Sequence, residues 1–167
     1  HNFNELLEAQ IAILQKKPFE IYPDFQTGGF IDVREYQKGK GKIKVRAKLE
    51  IVDAKTIVIR QICHGTTTES VVNSIDEAAK RGRFKIESIN DYTSDKVEIE
   101  IKLPRGQYAS SIVDALYAFT DCEVSISTQA IVIKDQLPWE TDVDAILKHH
   151  TENLKKFLKQ ELEIAHE

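Results

Sequence analysis

Basic and apolar residues alternate along one stretch in the first third of the chain. From position 38 to position 48 every second residue is basic, and glycine or apolar residues fill the positions between. Because successive side chains of a β-strand point to opposite faces, this pattern predicts one long strand, running to about Val52, with cations on one face and a core on the other. We expect it to form a hairpin with a returning strand over 56–63. Its cations are Lys38, Lys40, Lys42, Lys44, Arg46 and Lys48.

Shorter helical and strand patterns fill the rest of the chain up to residue 138. Capping residues mark helix starts, and a period of two marks strands. The segments over 84–89 and 96–103 are expected to form a second hairpin. In chain order the other predicted elements are a helix capped by Asn2, a strand over 30–33, a helix opened by a Thr66–Glu69 capping box, a helix over 110–119 and a strand over 123–133.

The last part of the chain has the pattern of one long helix. Thr141 and Asp144 fit its start, and apolar residues recur at helical spacing to Leu162. We expect Pro138 to end a compact α/β domain over 1–138 and the helix to occupy 139–167. The predicted fold class is therefore α/β of the α+β type, a mainly antiparallel sheet of hairpins with packed helices, ending in a long C-terminal helix.

The charge distribution suggests a role for the basic stretch. The chain carries a formal net charge of -4, yet positions 38–48 contain no acid, so its remainder is strongly acidic. Alternate side chains on a strand lie about 6.6 Å apart, close to the spacing of phosphates along nucleic acid. A basic stripe on an acidic body can direct a polyanion to one surface. Lysines also protect sheet edges from association, an alternative that needs one or two cations, not six.

Composition sets further limits. With 167 residues, 41% hydrophobic and 30% charged, the chain fits one globular domain, or one domain with an appendage, and no run is long enough to span a membrane. Its two cysteines, Cys63 and Cys122, suit a reducing compartment as buried thiols. The chain contains no methionine, even at position 1, so we expect a processed chain or a piece of a longer protein.

Candidate catalytic groups are few. Cys63 and His64 are adjacent on a predicted strand and so point to opposite faces, which does not suit a nucleophile and its base. His149 and His150 on the long helix lack a further partner at metal-ligand spacing. Glu98 and Glu100 share one face of a strand, which fits the solvent-exposed face of a sheet. The Gly-Lys-Gly-Lys sequence of Gly39–Lys42 lacks the spacing of a phosphate loop.

Five segments carry motifs, and they begin at His1, Pro23, Tyr36, Leu116 and Ile146. In this order they resemble the A subunits of bacterial type IIA DNA topoisomerases, that is topoisomerase IV and gyrase. The resemblance covers essentially the whole chain. One departure is the family's Pro-Tyr-x-Val-Asn-Lys, which Cys63–Thr68 replaces. The matching segments are His1-Asn2-Phe3, Pro23-Asp24-Phe25-Gln26-Thr27-Gly28-Gly29, Tyr36-Gln37-Lys38-Gly39-Lys40-Gly41-Lys42, Leu116-Tyr117 with Thr120 and Ser125, and Ile146-Leu147-Lys148-His149-His150.

The resemblance implies that the chain is the tower domain that supports bent gate DNA, and that its long helix begins a coiled-coil arm. None of the five tyrosines matches the family's nucleophile motif, so the resemblance implies no catalytic residue here and an inactive chain by itself. The parent would be an ATP-dependent topoisomerase, using Mg and ATP through a partner ATPase (B) subunit, self-dimerising, and located in the bacterial cytoplasm on the nucleoid. No metal or cofactor site is expected in the chain.

Three classes of function are compatible with the residues and the resemblance. The leading one is sequence-independent binding of the double-stranded DNA backbone by Lys38, Lys40, Lys42, Lys44, Arg46 and Lys48. The alternative is a stand-alone RNA- or ribosome-associated module that uses the same basic hairpin. Because RNA readers place aromatic residues beside their cations and positions 38–48 contain none, the sequence favours DNA. An independent small-molecule enzyme is the third and weakest possibility.

Overall fold

The structure is a computed structural model and describes residues 1–166. It confirms an α+β fold with antiparallel sheets and a long C-terminal helix. In chain order its elements are α1 (Phe3–Leu14), β1 (Phe30–Asp32), a 3₁₀ turn (Gln37–Gly39), β2 (Lys42–Arg46), β3 (Lys48–Asp53), β4 (Thr56–Gln61), α2 (Thr68–Lys80), β5 (Ser88–Asp91), β6 (Ile99–Lys102), α3 (Ala109–Phe119), β7 (Glu123–Ser127), β8 (Ala130–Lys134), β9 (Leu137–Thr141) and α4 (Val143–His166).

The residues group into two compact units. The first contains 1–24, 33–42 and 127–167, and the second contains 25–32 and 43–126. Strand β9 crosses the expected boundary at Pro138, which pairs with Ile133 of β8. The assignment of a separate domain to 1–138 and an arm to 139–167 stays a prediction.

Two sheets form the second unit. One has the strand order β1-β2-β7, and the other has the order β3-β4-β6-β5. Pairs β3–β4, β4–β6 and β5–β6 are antiparallel, which confirms the hairpin with the returning strand and the second hairpin. Their fully buried side chains and those of α2 and α3 form the core: Ile57, Ile59, Ile99, Ile101, Val71, Ile75 and Leu116.

Helices α1 and α4 provide the core of the first unit. Asn2 caps α1, as expected, by accepting a hydrogen bond from the Asn4 amide at 2.9 Å. A small buried cluster follows from the apolar stripes of the two helices and the segment between α1 and β1. Its members are Ala9, Ile21 and Leu147, with Leu6, Ile13, Phe19 and Val143 packed against them.

The starts of α2 and α4 differ from the expected caps. The capping box of α2 is formed by Thr67 and Ser70, because Thr66 turns its hydroxyl to donate to the Cys63 carbonyl at 2.8 Å. Helix α4 is capped by Asp142, whose carboxylate accepts from the Ala145 amide at 2.8 Å. Thr141 was expected there, but it is the last residue of β9 and is buried.

The single strand expected over 123–133 is also wrong. It divides into β7 and β8 around Thr128, whose amide and hydroxyl both donate to the Gly41 carbonyl at 2.8 Å. These two bonds take the place of ladder bonds and turn the chain out of the first strand. The strand expected over 84–89 likewise begins later, at Ser88.

We expect Gly41→Ala to destabilise the chain strongly. A Cβ atom at Gly41 would lie 1.9 Å from the Glu35 carbonyl oxygen, a backbone atom that cannot move without breaking its bond from the Lys42 amide. The control is Gly106→Ala, where the left-handed backbone (φ +87) costs about 1 kcal/mol and no atom lies within 4 Å. Urea unfolding should show a clearly larger loss for Gly41→Ala; equal losses would contradict the steric argument.

Candidate nucleic-acid interface

The basic stretch is divided among three elements and is not one strand. Lys38 lies in the 3₁₀ turn and Lys40 follows it, whereas β2 holds Lys42, Lys44 and Arg46 and β3 begins at Lys48. The single strand expected to run to about Val52 is therefore wrong, because β2 ends at Arg46 and β3 begins at Lys48. The expected alternation is nevertheless present: all six cations are exposed, while Ile43, Val45 and Ala47 are fully buried.

Ala47 marks the point where the chain leaves one sheet and enters the next. Its amide donates to the Cys122 carbonyl at 2.8 Å, and its carbonyl accepts from the Tyr117 hydroxyl at 3.0 Å. Both polar groups of this buried residue are thus satisfied outside any strand pairing of its own. A period-two pattern cannot reveal such a break, because the side chains on either side keep alternating.

The turn before β2 is built from left-handed residues. Gln37, Lys38 and Gly39 have φ values of 48°, 57° and 98°, and a Cβ at Gly39 would lie 2.8 Å from a methyl group of Val143. The amides of residues 39–42 donate to carbonyls of residues 35–37 within the turn. Since these amides are already used, the Gly39–Lys42 segment does not form a phosphate loop, in agreement with its spacing.

Carboxylates from distant parts of the chain pair with four of the six cations. In the first unit Lys38 lies 2.6 Å from Asp144 and Lys40 lies 3.8 Å from Asp142. The hydrogen bond to Asp144 raises the pKa of the Lys38 ammonium. Both carboxylates lie at the start of α4, so sequence inspection of positions 38–48 could not find them.

Glu123 is the corresponding acid in the second unit. Its carboxylate accepts from the Arg46 guanidinium at 2.5 Å and lies 3.5 Å from the Lys44 ammonium. The hydrogen bond to Glu123 raises the pKa of Arg46. The arginine also lies over the Tyr117 ring, 4.8 Å from its centroid. This packing fixes the guanidinium, whereas Lys42 and Lys48 extend as exposed cations on flexible stems.

Residues of the matching motifs make close contacts next to the basic stretch. A Cβ at Gly29 (φ +90) would lie 2.4 Å from the Arg46 carbonyl oxygen, which places β1 beside β2. The Gly29 amide also donates to the Gln61 side chain at 2.8 Å. In the first unit, the His1 ring lies 2.9 Å from the buried Tyr36 hydroxyl. These motif residues therefore hold the backbone on either side of the basic stretch.

The other candidate groups do not come together as catalytic sites. Cys63 is buried and donates its thiol proton to the Val45 carbonyl at 3.2 Å. His64 is exposed, and its ring stacks on that of Phe25 with 4.4 Å between the ring centroids. His149 lies 3.1 Å from the Asn153 amide. The carboxylates of Glu98 and Glu100 pair with Arg60 and Lys102.

Residues 1–166 offer neither a metal centre nor a membrane span. No group of three His, Cys, Asp or Glu side chains in this range could hold a metal ion. No helix in the same range is long and apolar enough to cross a membrane.

Comparison with known proteins places the chain in a family. All of it, residues 1–167, matches the family of the DNA gyrase/topoisomerase IV A subunit, and the chain belongs to that family. It is 46% identical over 164 residues to the A subunit of DNA topoisomerase 4 from Borreliella burgdorferi, covering 98% of this chain and 26% of that protein. It is 31% identical over 179 residues to the A subunit of DNA gyrase from Lawsonia intracellularis, covering 95% of this chain and 22% of that one.

A third relative is also a gyrase A subunit that aligns with nearly all of this chain. The DNA gyrase A subunit of Chlamydia pneumoniae is 29% identical over 188 residues, covering 97% of this chain and 22% of the relative. The chain thus spans about a quarter of the length of the relatives it matches. The sequence resemblance to A subunits of type IIA topoisomerases is confirmed.

We expect neither thiol to react in the folded chain at pH 8. Burial raises the pKa of Cys63 above its ordinary value and that of Cys122 to about 11, so both remain protonated and shielded there. Because the pKa of Cys122 is about 11 in the folded state and its ordinary value is 9.0, the buried neutral thiol contributes to the free energy of unfolding below pH 9. This contribution is lost as the pH rises through 11. Iodoacetamide followed by mass spectrometry should label both residues in urea and neither in buffer; rapid native labelling of either would contradict the burial.

Proposed function

We propose that the chain is a DNA-backbone-binding tower domain of a type IIA topoisomerase A subunit, supporting bent gate DNA during double-strand passage. The observation that carries the proposal is the exposed cation row of β2 and the start of β3, backed by a fully buried apolar row. Such a row neutralises phosphates without reading bases. Because bending a duplex of a few tens of base pairs costs about 1 to 6 kcal/mol, phosphate contacts along the arms stabilise the bent state.

Within this proposal the six cations have different roles, which their ion pairs and exposure support. Lys42 and Lys48 are exposed ammonium groups that can move toward phosphates. Lys44 is also exposed, but it shares Glu123 with Arg46. Arg46 is held by Glu123 and Tyr117, so it positions charge at one place on the surface. Lys38 and Lys40 are paired with acids of α4, so a phosphate must compete with those carboxylates.

We further propose that α4 begins a coiled-coil arm. Its first half contributes the buried residues Leu147 and Thr151, whereas its second half exposes an apolar set. A helix with such a face in water requires another apolar surface to cover it. The exposed residues are Leu154, Phe157, Leu158, Leu162 and Ile164.

Within the family, we favour topoisomerase IV over gyrase as the parent. The alignments to the two gyrase proteins extend over 179 and 188 positions, more than the 167 residues of the chain, so gyrase carries segments that are absent here. The alignment to the topoisomerase 4 protein extends over 164 positions and has the higher identity.

For the longer protein we propose an ATP-dependent topoisomerase that dimerises and works with an ATPase (B) subunit. Within this proposal, Mg and ATP act through that partner subunit. In this role the chain binds and holds duplex DNA, carries out no chemical step, and by itself does not cleave the duplex.

Replacing Lys42, Lys44 and Lys48 together by Gln should weaken binding to all duplex sequences equally. Each phosphate contact contributes about 0.9 to the slope of log binding constant against log salt, so the slope should become shallower by roughly two to three units. Fluorescence anisotropy with two unrelated duplexes, repeated over a salt series, measures both effects. A folded variant with unchanged affinity and slope would reject the DNA role and favour edge protection; tighter binding to single-stranded RNA than to duplex DNA would favour an RNA-binding module.

Glu123→Gln should have the opposite effect and tighten DNA binding. The substitution keeps the side-chain size but removes the carboxylate that competes with phosphate for Lys44 and Arg46. We expect affinity to rise several-fold and the salt slope to steepen by about 0.9 for each cation released. Glu69→Gln, an exposed acid in the first turn of α2, controls for the change in net charge. If both variants bind equally well, local competition by Glu123 is excluded.

A further inference from the structure

A second group of lysines surrounds a groove in the first unit. The groove has a volume of about 450 Å³ and is formed by the end of α1, the turn after it, the 3₁₀ turn and the first half of α4. Four lysines and two carboxylates lie along it. The complete lining is Ile13, Lys16, Lys17, Pro18, Phe19, Lys38, Asp144, Lys148 and Glu152.

The backbone of the turn holds two of these lysines in place. Lys16 is left-handed, with φ 58°, and its amide donates to the Ile13 carbonyl at 3.1 Å. The Lys17 amide donates to the Ala12 carbonyl at 2.8 Å. These bonds end α1 and turn the chain sharply, so the two ammonium groups project from a fixed loop.

Lys148 approaches the same groove from α4. Its ammonium lies 5.9 Å from the centroid of the Phe19 ring, a contact that favours a cation over the ring face. Lys148 is exposed, whereas Phe19 is partly buried against the α1–α4 core. The ring therefore supports the lysine and is not available for base stacking.

The acids of the groove do not neutralise it. Asp144 is paired with Lys38 at 2.6 Å, which leaves Lys16, Lys17 and Lys148 against Glu152 alone. No ion pair joins Glu152 to any of these three lysines among residues 1–166. The remaining charge of the groove lining is positive.

We infer that this groove is a second phosphate-binding site, and that its ligand is the phosphodiester backbone of duplex DNA. The lysines are exposed point charges, without the buried donors or guanidinium forks that would bind one phosphate group tightly. Affinity from such a set requires a polyanion that neutralises several charges together and releases counterions. The inference rests on the proposed DNA-binding function and adds a contact outside the basic stretch of residues 38–48.

The test compares three triple variants of the full chain by anisotropy with a mixed-sequence duplex over a salt series. The groove variant is Lys16→Gln, Lys17→Gln and Lys148→Gln. The matched control, Lys155→Gln, Lys156→Gln and Lys159→Gln, removes equal charge from exposed positions farther along α4. The third is the variant of Lys42, Lys44 and Lys48. Circular dichroism and thermal unfolding confirm that each is folded.

We expect the groove variant to make the salt slope shallower by roughly two to three units, with little change in the control, at about 0.9 per phosphate. A groove variant equal to the control overturns the inference; the proposed function still stands if the variant of Lys42, Lys44 and Lys48 binds more weakly. Unchanged binding by all three variants rejects both. Weaker binding by the groove variant alone supports the groove and excludes the β2 surface as the DNA contact.

Discussion

The path of the backbone through Ala47 determines how the basic residues are presented. Both polar groups of this buried residue bond to other segments, the amide to Cys122 and the carbonyl to Tyr117. The chain can therefore leave the sheet of β1, β2 and β7 and enter that of β3 to β6 without an unsatisfied buried group. Because Ile43, Val45 and Ala47 are buried, Lys44 and Arg46 between them face water. The surface charge is thus a consequence of the core.

Acids elsewhere in the chain moderate that charge. Glu123 pairs with two cations of the second unit, and Asp142 and Asp144 pair with two of the first. Exposed ion pairs of this kind contribute little to stability, about 0 to 1 kcal/mol each. Under the proposed DNA-binding function their larger effect is on binding, since a phosphate has to replace a carboxylate that is already in position. In that proposal the surface holds DNA reversibly.

In the groove between α1 and α4, the lysines outnumber the carboxylates that could pair with them. One of its two acids is already paired with Lys38, so three lysines remain with one carboxylate. Each of these cations is exposed, and each is held by a defined local feature: a closed helix end for Lys16 and Lys17, and an aromatic ring for Lys148. Defined positions lower the ordering cost when a polyanion binds.

Sequence alone determined the kinds of elements, the burial of Ile43 and Val45, the exposure of the six cations and the likeness to topoisomerase A subunits. These follow from local periodicity and motif spacing, which act over a few residues. Tertiary structure alone decided that the basic stretch is divided, that Asp142 rather than Thr141 caps α4, and that Glu123, Asp142 and Asp144 face the cations. A break at Ala47 leaves the period of two unchanged, and an ion pair between residues 106 positions apart leaves no local pattern. Such features depend on where distant segments meet, which is fixed only when the core packs.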